Sequence, residues 1–132
     1  METPKTAVSM MVVEDEAITL EVIAATLARK YPDVTIFKAG NGRTGLELFK
    51  EHSPDIVITD INMPELSGVQ MTKKIIEIEP DTKFIVLTGD NGKLIVGDSF
   101  GNVVEIDHVI DKPVDLLDLF AAVEQCLGKI MR

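Results

Sequence analysis

Short apolar runs alternate along this chain with longer stretches in which apolar residues recur every three or four positions. The runs occupy residues 7–13, 34–39, 56–60, 83–88 and 108–111, and polar, glycine or proline positions bound each of them. Runs this short, rich in Val and Ile, predict strands buried on both faces. The stretches between them predict helices over residues 16–30, 42–51, 67–79 and 113–127. Their inward sides are expected to carry Ile18, Leu20, Ile23, Ala24 and Leu27, then Leu46, Leu48 and Phe49, then Met71, Ile75 and Ile78, and finally Leu116, Leu117, Phe120 and Val123. Tyr31-Pro32-Asp33 stops the first helix, Ser67 suits an N-cap, and Pro113 falls in the first turn of the last helix. Strand and helix in alternation predict βαβ units around a parallel sheet.

Between Thr88 and Lys112 the pattern weakens, because Gly89, Gly92, Gly97 and Gly101 interrupt the helix expected near residues 93–100. Glycine inside a helix costs roughly 1 kcal/mol relative to alanine, so this region is expected to be atypical. Val103 to Ile106 fits either an extra strand or a continuation of the loop.

A chain of 132 residues suits one domain, with its core over about residues 7–127 and no effector module. No apolar stretch approaches the ~18 residues of a membrane span. The opening Met1-Glu2-Thr3-Pro4-Lys5-Thr6 lacks the layout of a signal peptide, so a cytoplasmic location is expected. Acidic residues outnumber basic ones 22 to 13, for a formal charge of −9, which disfavours nucleic-acid backbones and anionic lipid. Cys126, the only cysteine, reads as a small core residue of the last helix, and His52 as a solvated loop residue.

The ends of the runs hold the reactive side chains. Asp60 closes its run and is followed by Ile61-Asn62-Met63-Pro64-Glu65-Leu66-Ser67-Gly68. The first run ends in Glu14-Asp15-Glu16, the fourth in Thr88-Gly89, and the fifth in Asp111-Lys112-Pro113. Open α/β sheets bind ligands outside the carboxyl ends of their strands. A carboxylate accepts a phosphoryl group only when the accumulating negative charge is neutralised. Glu14, Asp15 and Asp60, with one backbone carbonyl, are oxygen ligands of the kind Mg²⁺ (or Mn²⁺) prefers. Lys112 can pair with Asp60 and then with a phosphoryl oxygen, Thr88 can donate to another, and Gly89 leaves room beside them.

These four pieces, in this order, resemble the receiver domain of two-component response regulators over nearly the whole chain. The resemblance rests on Val12-Val13-Glu14-Asp15-Glu16, on Asp60-Ile61-Asn62-Met63-Pro64 with Gly68, on Val86-Leu87-Thr88-Gly89 and on Lys112-Pro113. It implies a flavodoxin-like, doubly wound sheet in the order 2-1-3-4-5. It also implies that Asp60 accepts phosphate from a histidine of a sensor kinase or phosphotransfer protein. Asp15 would bind the metal directly, Glu14 through water, and Asn62 by its carbonyl, while a cis bond would join Lys112 to Pro113. The implied output is a changed contact with a downstream protein, with no enzymatic turnover beyond self-phosphorylation and dephosphorylation. Three positions depart from the family or tune it. Val109 stands where receivers usually carry an aromatic switch residue, so a readout through the 91–100 segment is expected instead, with His108 turned to the opposite face. Asn62 and Asp90 are expected to shorten the life of the phosphoryl-aspartate.

Other readings of the same residues are a turn cap for Asp60 and a favourable helix-start charge for Glu14-Asp15-Glu16. Met63 and Met71 read as packing residues. At the level of function the alternatives are a pseudo-receiver that binds without phosphorylation and a metal-dependent aspartyl phosphatase. The latter normally carries an Asp-x-Asp after its first strand, where this chain has Glu14-Asp15-Glu16.

Overall fold

Every residue of the run Ile56–Asp60 is buried, and this strand lies at the centre of the sheet, as a run without polar alternation requires. The computed structural model describes residues 7–61, 63, 66–89 and 106–130. Among them, β1 (Ser9–Val13), α1 (Ala17–Lys30), β2 (Thr35–Ala39), α2 (Gly42–His52), β3 (Ile56–Asp60), α3 (Gly68–Ile78), β4 (Lys83–Thr88), β5 (His108–Asp111) and α4 (Leu116–Ile130) follow one another. The five strands form one parallel sheet in the order β2-β1-β3-β4-β5, so the expected flavodoxin-like doubly wound topology is present. The atypical helix expected near residues 93–100 and residues 103–105 of the undecided segment 103–106 lie outside the described residues, while Ile106 belongs to no strand.

Alternate strand residues feed two cores. On one face Met10, Val12, Ile56, Ile58, Ile85, Leu87 and Ile110 meet Ile23 and Leu27 of α1 and Leu119, Val123 and Cys126 of α4. On the other face Met11, Val13, Val57 and Phe84 meet Phe49 of α2 and Met71 and Ile75 of α3. Cys126 is therefore the core residue expected of it, and Met63 and Met71 pack against apolar neighbours.

Four residues expected to face inward do not. Ile18 is 82% and Leu117 77% exposed, with Leu116 and Ile78 partly so. Ile18 lies nine residues from the buried Leu27, which at about 100° per residue puts it on the opposite side of α1. Leu117 is turned away from the Leu119–Val123–Cys126 face of α4 in the same way. Ile78 is the last residue of α3, where the chain leaves through the turn closed by the Thr82 N–H on the Glu79 carbonyl.

Helix starts follow side-chain caps. The Asn41 side chain accepts the Thr44 N–H, and Ser67 and Gln70 form a reciprocal capping box at α3. Pro113 does not occupy the first turn of α4. The Asp115 carboxylate accepts the N–H groups of Leu117 and Asp118, so the helix starts after Asp115, and the Lys112–Pro113 bond before it is cis, as the resemblance implied. His52 is the last residue of α2 and stacks on Phe37 at 4.3 Å between ring centroids, so it is not a loop residue.

Candidate functional site

The strand order reverses between β1 and β3, because the chain leaves β1 for β2 on one side and reaches β3 on the other. A crevice at the carboxyl ends of these two strands is where a doubly wound sheet binds ligands. The register levels the ends: Val13 lies opposite Thr59, Asp60 opposite Leu87, and Thr88 opposite Asp111. The residue after each of β1 and β5, and the last of β3 and β4, are the ones the motifs singled out.

Glu14 continues the ladder beyond β1, its N–H donating to the Ala39 carbonyl at 3.0 Å, and this turns its side chain into the crevice with no exposure. Its Oε2 accepts the Glu16 N–H at 3.2 Å and its Oε1 accepts from Lys112 Nζ at 2.9 Å. The same ammonium donates to Asp60 Oδ2 at 3.1 Å. Lys112 is held in place by its own N–H, which donates to the Thr88 carbonyl at 2.6 Å and carries the β4–β5 ladder one residue further. Asp15 is exposed at the rim, and ligand oxygens of Glu14, Asp15 and Asp60 all lie within 4.8 Å of one another.

Burial pushes the Glu14 carboxyl above its ordinary range; the hydrogen bonds from Lys112 and the Glu16 N–H oppose this, and the charge of Asp60 adds to it. Burial alone would lower the Lys112 pKa, but its hydrogen bonds to Glu14 and Asp60 outweigh burial and hold it above the usual lysine value. Among the described residues, three carboxylates, when ionised, face one ammonium, an excess of negative charge made of hard oxygen donors. Such a donor set fits Mg²⁺ or Mn²⁺.

Five of the expected site residues thus stand at one end of the sheet: Glu14, Asp15, Asp60, Lys112 and, buried at the tip of β4, Thr88. The Thr88 hydroxyl donates to the Gly89 carbonyl at 3.1 Å. A Cβ placed on Gly89 would meet nothing within 4 Å among the described residues. Asn62 and Asp90 lie outside the described residues. Val109 packs with Ile61, Val86, Val69, Ile76 and Ile106, whereas His108 is turned towards α4, so the pairing has not slipped to put the histidine in the aromatic position. The sequence did not reveal the Glu14–Lys112 ion pair, whose members are 98 residues apart.

A flavodoxin-like sheet with a carboxylate cluster and a lysine at its switch point defines a class, and similarity to known proteins narrows it. The response regulator receiver domain family matches residues 10–124, and the chain belongs to that family. It is 36% identical over 76 residues to the chemotaxis protein CheY of Thermotoga maritima, covering 58% of this chain and 63% of that protein. It is 33% identical over 94 residues to a protein-glutamate methylesterase/protein-glutamine glutaminase of Nitrosospira multiformis, covering 70% of this chain and 26% of that protein. The chain therefore spans from about a quarter to under two thirds of these relatives' length. Among solved structures, the signal receiver domain of an HD domain-containing protein from Pseudomonas fluorescens Pf-5 superposes with a TM-score of 0.84 at 26% identity, covering 94% of this chain and 97% of the other. No helix among the described residues is long and apolar enough to cross a membrane.

Proposed function

We propose that this domain is a phosphorylation-dependent switch whose acceptor is Asp60. The observation that carries the reading is the Lys112 ammonium shared between Glu14 and Asp60, with Asp15 close enough to join the same oxygen cluster. In the reaction an Asp60 oxygen forms a bond to phosphorus as the bond between phosphorus and the donor's imidazole nitrogen breaks, and the phosphoryl group ends as an acyl phosphate. Lys112 starts on Asp60 and is within reach of an oxygen of the incoming group. Thr88 can exchange the Gly89 carbonyl for another of those oxygens by rotating its hydroxyl. Glu14 keeps Lys112 in place by its second hydrogen bond. Mg²⁺ or Mn²⁺, held by Asp15, Asp60 and the Asn62 carbonyl with Glu14 behind them, would supply positive charge against the carboxylate and phosphoryl oxygens.

The donor in this reading is a sensor histidine kinase or a histidine phosphotransfer protein, and the output is contact with a downstream protein in the cytoplasm. Supporting a protein donor, Ile18, Val22, Pro113, Val114 and Leu116 line an apolar cleft of about 670 Å³ that reaches Gly89 and Lys112. Large exposed apolar side chains beside a reactive site mark a surface for protein contact.

The test is intact mass after incubation with Mg²⁺ and acetyl phosphate, with Asp60→Ala and an EDTA control. One phosphoryl adduct in the wild-type protein, absent in both controls, is expected. No adduct in a folded wild-type protein would leave the pseudo-receiver reading, and turnover of small phosphate esters would favour the phosphatase.

A further inference from the structure

Gly42 and Gly68 bracket the segment that carries the acceptor. The first residue of α3 is Gly68, whose N–H donates back to the Ile61 carbonyl at 2.8 Å. A Cβ on Gly68 would come within 2.1 Å of Asp60's own carbonyl oxygen, so α3 begins in direct contact with the acceptor's backbone. From the other side, the first residue of α2 meets the same segment. A Cβ on Gly42 would lie 1.9 Å from the Leu66 carbonyl oxygen and 2.8 Å from its carbon. These neighbours are backbone, so they cannot turn aside as a side-chain tip can.

We propose that Gly42 is a positioning residue for phosphorylation, with the first turn of α2 acting as the stop against which the β3–α3 connection sets the acceptor; this rests on the reading of Asp60 as the acceptor. Two neighbouring glycines separate this role from mere packing. Gly45, one turn on, would place its Cβ 2.7 Å from Met71 Sδ, the movable part of a flexible side chain, and 3.2 Å from Val13. Gly40 would meet nothing within 4 Å among the described residues. Crowding at Gly42 therefore presses on the Leu66 backbone beside the start of α3, which itself meets the Asp60 carbonyl, whereas crowding at Gly45 meets the side-chain tip of Met71. Displacements of about 1 Å at a reacting centre can cost on the order of 100-fold in rate.

The experiment compares Gly42→Ala, Gly45→Ala and Gly40→Ala with the wild-type chain in thermal midpoint without cation, Mg²⁺ affinity by calorimetry, and rate of adduct formation with acetyl phosphate at saturating Mg²⁺. Gly42→Ala is expected to lose about 10-fold or more in rate and to bind Mg²⁺ more weakly. Gly45→Ala is expected to lower the midpoint while keeping rate and affinity within about twofold, and Gly40→Ala to match wild type. Wild-type rate and affinity in Gly42→Ala, or an equal loss in Gly45→Ala, would overturn the proposal. Asn41→Ala, which removes the exposed cap of the same turn, covers the case in which Gly42→Ala does not fold. A several-fold slower rate in that variant supports the proposal, and an unchanged rate and affinity overturns it. A wild-type protein that takes no phosphoryl group removes the acceptor reading, and this proposal with it.

Discussion

Lys112 serves two carboxylates with one charge, and that arrangement makes its removal conditional. Without it, the fully buried Glu14 and the nearly buried Asp60 face each other with no protein cation between them. Lys112→Ala is expected to lose about 1–3 kcal/mol in the absence of divalent cation and to recover most of it at saturating Mg²⁺, measured by denaturant unfolding. An equal loss in both conditions would mean that the cation does not enter this cluster. A second residue sets a pH limit. Burial, with the charge of Asp107, pushes the Cys126 thiol up to about 11 from an ordinary 9.0. Between those values the unfolded chain has lost the proton and the folded chain has not, so stability falls as pH rises from about 9 towards 11. The full effect is roughly 2–3 kcal/mol. Cys126→Ala should flatten that decline relative to wild type, and parallel pH curves would refute the assignment.

At the scale of elements, the helices are fixed by their caps and by the arc they turn to the sheet. The capping box at α3 sits directly after the acceptor's connection: Ser67 Oγ accepts the Gln70 N–H and Gln70 Oε1 accepts the Ser67 N–H, each at 3.2 Å. Ser67→Ala is expected to cost about 1 kcal/mol by chemical unfolding, and a change below a few tenths would show that solvent replaces the cap. Elements also show where reading by periodicity stops. Ser67 and the strands of the core were legible because caps and buried runs are local signals. The outward turn of Ile18 and Leu117 was not, because an apolar residue on the far arc of a helix looks like a core residue until the sheet selects the arc. Pro113 misled for a related reason: Asp115 supplies a cap that only the folded geometry identifies as the start of α4.

At the scale of the whole molecule, the exposed Ile18, Val22 and Leu117 sit on helices whose other faces complete one core. Substitution there should leave the fold alone. Ile18→Glu is expected to change unfolding free energy by less than about 0.5 kcal/mol and to leave phosphorylation by acetyl phosphate unchanged. The same variant is expected to slow transfer from a phosphorylated histidine phosphotransfer protein. Equal transfer rates for wild type and variant, assayed with a donor that phosphorylates the wild type, would place the donor on another surface.

The sequence by itself determined the alternation of strand and helix, the strand ends that bear Glu14, Asp15, Asp60, Thr88 and Lys112, and the chemistry those groups suit, because period, run length and residue type are written locally. Its motifs together also pointed to the family, since four weak signals in order are jointly specific. Tertiary structure alone decided that Lys112 bridges Glu14 as well as Asp60, that Glu14 is buried while Asp15 stays at the rim, and that the first turn of α2 abuts the acceptor's connection at Leu66. The Lys112 bridges and the α2–Leu66 abutment join residues far apart in the chain, and only the parallel register and the packing of helices on the sheet bring them together.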